Sequence, residues 1–312
     1  MLREVGGKEI FVTGAGGFIG SAVVAALLRL GARVRALAGA PDDAIRDLPR
    51  EVTATRGEIT DEAAVSELMA GAEVVIHLAG PPSVAESFDR PVEYARVHVA
   101  GTAAVLAACR RLNVRRLIYI SSAEVYGQPR TIPVAEDQPL QARSPYAAAK
   151  IGAEKLVESF AHAFAMEAII LRPFSVYGEG LSSASLIATI VRQARQSDRV
   201  RLASLKPVRD YCYVEDLAAA IVRACAVECA SPDVFNIGSG CGTSVGEVAN
   251  LILRIIGRAV PVVEEAAAQR PGRSEINCLI ADTRKAQAKL GWTPAYSLER
   301  GLAETIKKAR RA

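Results

Sequence analysis

The sequence lacks the cysteine patterns that would support a metal site or a cross-linked fold. Its six cysteines include no C-x-x-C pair, and no histidine lies near any of them in the chain. The cysteine pattern indicates neither a zinc site nor a disulfide framework. We therefore expect reduced, buried thiols and no bound metal.

The sequence also lacks a long apolar segment and a strong charge of either sign. No run is long enough to span a bilayer, and the first apolar run, residues 10–12, leads directly into glycines. The 38 basic and 34 acidic residues give a net charge of +4, too small to indicate nucleic-acid binding. We therefore expect no signal peptide, no membrane or nucleic-acid partner, and a cytoplasmic location.

What the 312 residues do contain is a regular alternation of short apolar strands and helices. Strands that are apolar throughout are buried on both faces, which is typical of a parallel, doubly wound sheet. Ligands of such sheets bind at the carboxyl ends of the strands. The predicted strands are residues 10–13, 33–37, 52–56, 74–78 and 117–120, and the predicted helices are residues 21–30, 61–69 and 91–112.

The first predicted strand runs into a G-x-x-G-x-x-G loop formed by Gly14, Gly17 and Gly20. Glycines let backbone amides come close to a pyrophosphate, and the start of a helix adds partial positive charge there. This loop predicts a dinucleotide site.

A second motif is S-P-Y-A-A-A-K at residues 144–150. Ser144 is a good N-cap and Pro145 suits the first helical position, so Tyr146 and Lys150 should lie one turn apart on one helix face. An ammonium group at that distance is expected to lower the pKa of the phenol. Tyr146 could then take a proton from a substrate hydroxyl as hydride leaves the same carbon.

Taken together, the chain resembles the extended short-chain dehydrogenase/reductases, in particular the NAD-dependent epimerase/dehydratase group with its UDP-glucose 4-epimerase-like members. The matching segments follow the family order over nearly the whole chain. They are residues 13–20, 75–80, 101–102, 121–127 (SSAEVYG), 146–150, 172–178 (RPFSVYG), 209–216 (RDYCYVED), 235–240 (FNIGSG), 270–272 (RPG) and 290–294 (LGWTP).

The resemblance implies a Rossmann-type sheet at residues 1–174 and 210–238, and a smaller α/β substrate lobe at residues 175–209 and 239–312. It also implies a nucleotide-sugar substrate and a homodimer. The implied catalytic residues are Ser122, Tyr146, Lys150 and Glu124. The implied cofactor contacts are Gly14, Gly17, Phe18, Ile19, Gly20, Glu58, Ile59, Leu78, Ala79, Gly80, Tyr146, Lys150 and Pro173, and the implied substrate contacts are Ser83, Glu124, Ser175, Arg209 and Arg270.

Several positions depart from the family pattern. Ala38 stands where NAD-specific members carry an aspartate, and no arginine directly follows it, so the cofactor is NAD or NADP, with NAD favoured. His98 and Ser175 replace family asparagines, and Glu58 replaces an aspartate near the adenine. Ala123 replaces the acid that 4,6-dehydratases place before the glutamate.

The resulting prediction is a nucleotide-sugar epimerase that oxidises its substrate transiently and returns the hydride. The alternatives are a dehydratase or decarboxylase in which Glu124 abstracts a proton, and an NADPH-dependent keto-sugar reductase. A non-catalytic dinucleotide-binding protein is the alternative of another class. The joint presence of Ser122, Tyr146 and Lys150 argues against it.

Overall fold

A computed structural model describes residues 5–39, 48–228, 230–265 and 274–308 of the protein. Seven parallel strands form its central sheet in the order β3-β2-β1-β4-β5-β6-β10. In chain order the strands of the described residues are β1 Glu9–Thr13, β2 Arg33–Ala38, β3 Thr53–Arg56, β4 Val74–His77, β5 Arg116–Ile120, β6 Glu167–Pro173, β7 Ser175–Tyr177, β8 Val200–Leu202, β9 Val208–Tyr213, β10 Asp233–Ile237, β11 Gly242–Ser244, β12 Val262–Glu264 and β13 Cys278–Leu279.

The α-helices alternate with the strands of the central sheet and continue beyond it. They are α1 Phe18–Arg29, α2 Glu62–Met69, α3 Glu86–Asp89, α4 Pro91–Ala95, α5 Gly101–Arg111, α6 Pro145–Phe164, α7 Leu186–Gln196, α8 Val214–Ala226, α9 Val245–Ile256 and α10 Leu298–Lys308. A π-helical turn, Arg96–Ala100, joins α4 to α5, and a 3₁₀ turn, Ala123–Tyr126, follows β5.

The central sheet has a hydrophobic core on each face, as its apolar strands require. Ile10 and Val12 of β1 pack into one core, whereas Phe11 between them packs into the other. Val23 of α1 and Leu217 of α8 cover the first face. Helices α2, α5 and α6 cover the second. The predicted parallel, doubly wound sheet is therefore confirmed.

A smaller lobe lies beside this sheet. Strand β9 pairs with β7, β11 and β13, and β8 pairs with β12. A third core, which includes Ile190, Tyr213 and Ile252, holds these strands to α7, α9 and α10. Strand β9 belongs to the smaller sheet, and the chain returns to the large sheet with α8 and β10.

The predicted elements differ from the observed ones mainly at their ends. Helix α1 begins at Phe18, three residues before the expected start, because Gly17 takes the N-cap position. The long helix expected over residues 91–112 is present, and its middle turn is π-helical.

The cysteines of the described residues agree in part with the expectation of buried, reduced thiols. Cys109, Cys212 and Cys225 are buried free thiols, but Cys241 is exposed and Cys278 is half-buried. Cys229 lies outside the described residues. None of the described helices combines the length and the apolar character that crossing a bilayer requires.

Helix α6, which carries Tyr146 and Lys150, is fixed to the sheet by a buried ion pair. Glu154, fully buried on this helix, accepts hydrogen bonds from Arg172 of β6 at 3.0 and 2.6 Å. The Ser121 hydroxyl at the end of β5 also donates to Glu154. Arg172 in turn donates to the Tyr126 hydroxyl at 2.9 Å. Each charged group therefore has several partners, as burial of a charge demands.

We expect Glu154→Gln to lower the free energy of unfolding by about 3–5 kcal/mol, because it leaves the Arg172 guanidinium buried without a counter-charge. Glu158→Gln on the same helix is the matched control. It breaks a 2.7 Å ion pair with the exposed Lys155, which should change stability by less than about 1 kcal/mol. Urea unfolding measures both variants. Equal effects would contradict a structural role for the buried pair.

Candidate functional site

The glycine loop after β1 has the geometry of a phosphate cradle. Gly14 has a positive φ of 71°, and a Cβ there would lie 2.9 Å from the Ala79 amide nitrogen. A Cβ on Gly20 would lie 2.1 Å from the Gly14 carbonyl oxygen. Gly17 takes the N-cap position of α1, where it makes no side-chain hydrogen bond to the first amides of the helix. These features fit the pyrophosphate of a dinucleotide.

A buried chain of hydrogen bonds holds this loop to the end of β4. The Thr13 hydroxyl accepts from the amides of Leu78 and Ala79 at 3.2 and 3.1 Å. It also lies 2.7 Å from His77 Nδ1, and His77 Nε2 lies 3.0 Å from the Thr102 hydroxyl. Burial lowers the pKa of His77 to about 3, so the ring is neutral. His77 is therefore a structural hydrogen-bonding residue.

The far end of the predicted cofactor site lies at the ends of β2 and β3. Ala38 is buried there, and the strand register sets Arg56 of β3 beside it. Because Arg56 is 18 residues from Ala38 in the chain, sequence spacing does not indicate this neighbour. Ile59 is buried against Gly101, and exposed Glu58 pairs with Arg96 at 3.3 Å.

The three predicted redox residues come together at the end of β5. Ser122 follows the strand, and its side chain acts on the Tyr146 phenol. Ser144 caps α6 and Pro145 begins it, as predicted. Lys150 is buried one turn beyond Tyr146 and donates from Nζ to the Ile120 carbonyl at 2.7 Å.

The charges of this group differ from the sequence expectation. Burial raises the pKa of Tyr146 to about 12, and the neighbouring Ser122 side chain offsets this only in part. Burial also lowers the pKa of Lys150 to about 7, and the Glu154 carboxylate opposes that shift. The predicted lowering of the phenol pKa by Lys150 is therefore not found here. The amine bonds a carbonyl, and the desolvation of both groups outweighs their attraction.

Two aromatic rings that the sequence did not connect with the site enclose Tyr146. The His98 ring lies 5.5 Å from the Tyr146 ring, edge to face at 80°. Tyr94 lies 6.2 Å from the same ring, at 79°. The replacement of the family asparagine by His98 was visible in the sequence, but its contact with Tyr146 depends on the π-helical turn.

A cleft of about 620 Å³ opens beside the redox group, on the side of the smaller lobe. Three of the predicted substrate contacts, Glu124, Ser175 and Arg209, line it. The Arg209 guanidinium lies 3.6 Å from Glu275, a residue that no motif had indicated. Tyr211 also lines the cleft, and its buried hydroxyl has no hydrogen-bond partner among the described residues. A volume of this size suits a small-molecule ligand.

Three further predicted contacts are less directly defined. Ser83 caps a short turn, where its hydroxyl accepts from the Glu86 amide at 3.1 Å. Pro173 ends β6 and is buried. Arg270 lies outside the described residues.

Several motif residues stabilise the fold through contacts within the protein rather than contacting a ligand. The Asp210 carboxylate accepts from the backbone amides of Ser239, Gly240 and Ala281 at 2.6 to 3.1 Å. The Asp216 carboxylate accepts from the backbone amides of Ala295 and Tyr296. Tyr177 is buried.

Comparison with known proteins agrees with this geometry. The model of the NAD dependent epimerase/dehydratase family matches residues 10–238. The UDP-glucose 4-epimerase of Corynebacterium glutamicum is 32% identical over 314 residues, which cover 95% of this chain and 94% of the relative.

Solved structures match over nearly the whole chain. The UDP-glucose 4-epimerase of Thermotoga maritima, determined with UDP-glucose, has a TM-score of 0.89 and 31% identity, covering 97% of this chain and 99% of its own. TunA, an NAD dependent NDP-hexosamine 5,6-dehydratase involved in tunicamycin biosynthesis, has a TM-score of 0.85 and 28% identity, covering 98% of both chains.

These matches confirm the family and the fold class that the motifs predicted. The protein is an enzyme of the NAD dependent epimerase/dehydratase family and belongs to the extended short-chain dehydrogenase/reductases.

Proposed function

We propose that this enzyme is an NAD-dependent epimerase of nucleotide sugars. The observation that carries the proposal is the grouping of Ser122 with Tyr146, with Lys150 one turn away, beside a cleft lined by Arg209. Two of the similar proteins are UDP-glucose 4-epimerases. We therefore propose a UDP-hexose as the first substrate class to test.

In the proposed reaction Tyr146 Oη takes the proton of a sugar hydroxyl and later returns it. Ser122 hydrogen-bonds the same hydroxyl and orients it for that transfer. The chemistry that NAD would supply when bound is reversible hydride transfer at the carbon of this hydroxyl, with return to the other face of the ketone. Lys150 Nζ, held near the phenol by α6, is the group that would meet the ribose next to the nicotinamide.

The remaining contacts divide between the two ligands. The amides that follow Gly14 and Gly17 would hold the pyrophosphate of NAD. The guanidinium fork of Arg209 suits the diphosphate of the sugar nucleotide. We propose NAD rather than NADP, in line with the family, although Ala38 presents no carboxylate against a 2′-phosphate and Arg56 lies beside it.

A second candidate reaction is dehydration or decarboxylation after the same oxidation. Glu124 supports it, because this side chain lines the cleft and its charge acts on the Tyr146 phenol. The similarity to a 5,6-dehydratase also supports it. Ala123 counts against it, since it supplies no acid for the loss of water.

We also propose a homodimer, a cytoplasmic location and a division into a dinucleotide-binding and a substrate-binding domain. The boundary that best fits the strand pairing is the start of α8, because β9 pairs within the smaller sheet.

We expect a new isomer of unchanged mass when the purified protein is incubated with UDP-hexoses and NAD, with no net consumption of NAD. Mass spectrometry with chromatographic separation of sugar isomers measures this. Parallel incubations with NADP, NADH and NADPH are the controls. Loss of water or carbon dioxide would overturn the epimerase proposal in favour of the Glu124 reaction, and a gain of two hydrogens would indicate a reductase.

We expect Tyr146→Phe to lower kcat by about 10²–10⁴-fold, because it removes the group that transfers the proton. Glu124→Gln should lower kcat by less than about 10-fold in an epimerase, since it removes no proton-transfer step there. Steady-state kinetics on the identified sugar compares the two variants. An equally large loss in Glu124→Gln would make the carboxylate a base and contradict simple epimerisation.

The buried amine of Lys150 predicts a pH dependence of stability. Its pKa is about 7 in the folded protein, whereas an unfolded lysine keeps its proton up to about pH 10.4. Between these values the unfolded chain binds more protons, so the free energy of unfolding rises with pH, by up to about 1.4 kcal/mol per unit.

We therefore expect the stability difference between the wild type and Lys150→Met to shift in favour of the wild type from pH 7 to pH 10. Urea unfolding at several pH values measures it. Lys155→Met, an exposed lysine on the same helix, is the control and should show no such slope. Parallel curves for wild type and Lys150→Met would contradict the lowered pKa.

A further inference from the structure

The position of His98 is unusual for a histidine, because its side chain contacts neither solvent nor a charged partner. It is only 2% exposed and sits in the π-helical turn between α4 and α5. Such turns insert an extra residue into a helix and occur often at functional sites. Here the turn directs the imidazole between Tyr146 on one side and the Gly80–Pro81 backbone on the other.

The contacts of the imidazole determine its protonation. Nε2 lies 3.1 Å from the Pro81 carbonyl oxygen, which can only accept, so Nε2 carries the proton. Burial lowers the pKa of His98 to about 2, and the charge of Lys150 lowers it further. The ring is therefore neutral throughout the working range of pH. The His98 ring therefore acts on its neighbours through its shape and through one hydrogen bond, and it carries no charge.

The backbone beside the ring leaves no free space. A Cβ on Gly80 would lie 2.2 Å from His98 Cε1 and 2.5 Å from Nδ1. On the other side, Tyr94 contacts both the His98 ring, at 5.8 Å, and the Tyr146 ring, at 6.2 Å. The three rings form a closed cluster in which Tyr146 has few alternative orientations.

The backbone of His98 is hydrogen-bonded to the group of residues that supports the glycine loop. Thr102 donates to the His98 carbonyl, and the Thr102 hydroxyl is also bonded to His77. His77 bonds Thr13, which holds the amides that follow β4. His98 thus connects the predicted cofactor loop with the predicted proton-transfer residue.

We propose that His98 is a positioning residue, whose ring fixes the distance between the Tyr146 phenol and the Gly80–Pro81 turn. The catalytic part of this inference rests on the proposed function. A displacement of about 1 Å in such a group costs up to about 100-fold in rate. Positioning of this kind changes kcat more than KM, because the cleft for the nucleotide sugar is lined by other residues.

The test compares His98→Asn, which removes the ring, with His98→Phe, which keeps a ring and loses the hydrogen bond to Pro81. We expect kcat per bound NAD to fall by about 10-fold or more in His98→Asn. In His98→Phe it should stay within about 3-fold of the wild type, and KM should stay within about 2-fold in both. An equal fall in both variants, or no fall in His98→Asn, would overturn the proposal.

A second measurement does not depend on activity. The protein has eight tyrosines, so ring-labelled tyrosine gives a small NMR spectrum in which Tyr146→Phe identifies the Tyr146 signal. We expect slow ring flipping in the wild type and in His98→Phe, and faster flipping in His98→Asn. If no sugar is turned over, the proposed function fails while this measurement still decides the role of His98.

His77→Asn is the matched control, since it replaces an equally buried, neutral histidine that packs on Tyr119 instead of Tyr146. It should lower the melting temperature as His98→Asn does, and leave the flipping of Tyr146 unchanged. Faster flipping in both variants would mean that general loosening of the core, and not the His98 ring, controls Tyr146.

Discussion

The buried ion pair between Glu154 and Arg172 is the interaction on which the geometry of the site depends. Glu154 is one turn beyond Lys150 on α6, and Arg172 is on β6, so the pair sets the depth and rotation of the helix that carries Tyr146. A buried carboxylate is tolerated only when its charge and its lone pairs are satisfied. Arg172 and Ser121 satisfy them, and the end of β5 is thereby joined to α6 at the point where Ser122 and Tyr146 meet.

This arrangement has an electrostatic consequence for the redox residues. The same burial that fixes Tyr146 and Lys150 raises the pKa of the phenol and lowers that of the amine. The pKa of the Lys150 amine is therefore close to neutral pH, whereas the pKa of the Tyr146 phenol is far above it. Proton transfer by Tyr146 then depends on interactions that a ligand would add in the cleft, because the protein's own groups do not favour the phenolate.

Many motif residues that identify the family hold the protein together and do not face the cleft. The Asp210 carboxylate accepts hydrogen bonds from three backbone amides of two loops. The Asp216 carboxylate accepts from the amides of Ala295 and Tyr296. Asn236 accepts from the Tyr126 hydroxyl and donates to the Val134 carbonyl. A motif residue can thus be recognised in the sequence while its role is not. An aspartate that binds backbone amides and one that binds substrate are the same residue in the sequence.

The sequence by itself determined the alternation of strands and helices, the glycine loop, the N-cap of α6 and the spacing of Tyr146 and Lys150. These features depend on periodicity and on backbone preferences within a few residues, so local reasoning reaches them. Only the tertiary structure decided the pKa values of that pair, the contact of His98 with Tyr146, the pairing of Arg209 with Glu275 and the position of Arg56 beside Ala38. Each of these depends on burial or on strand register between residues far apart in the chain, and neither quantity is set by neighbouring residues in the sequence.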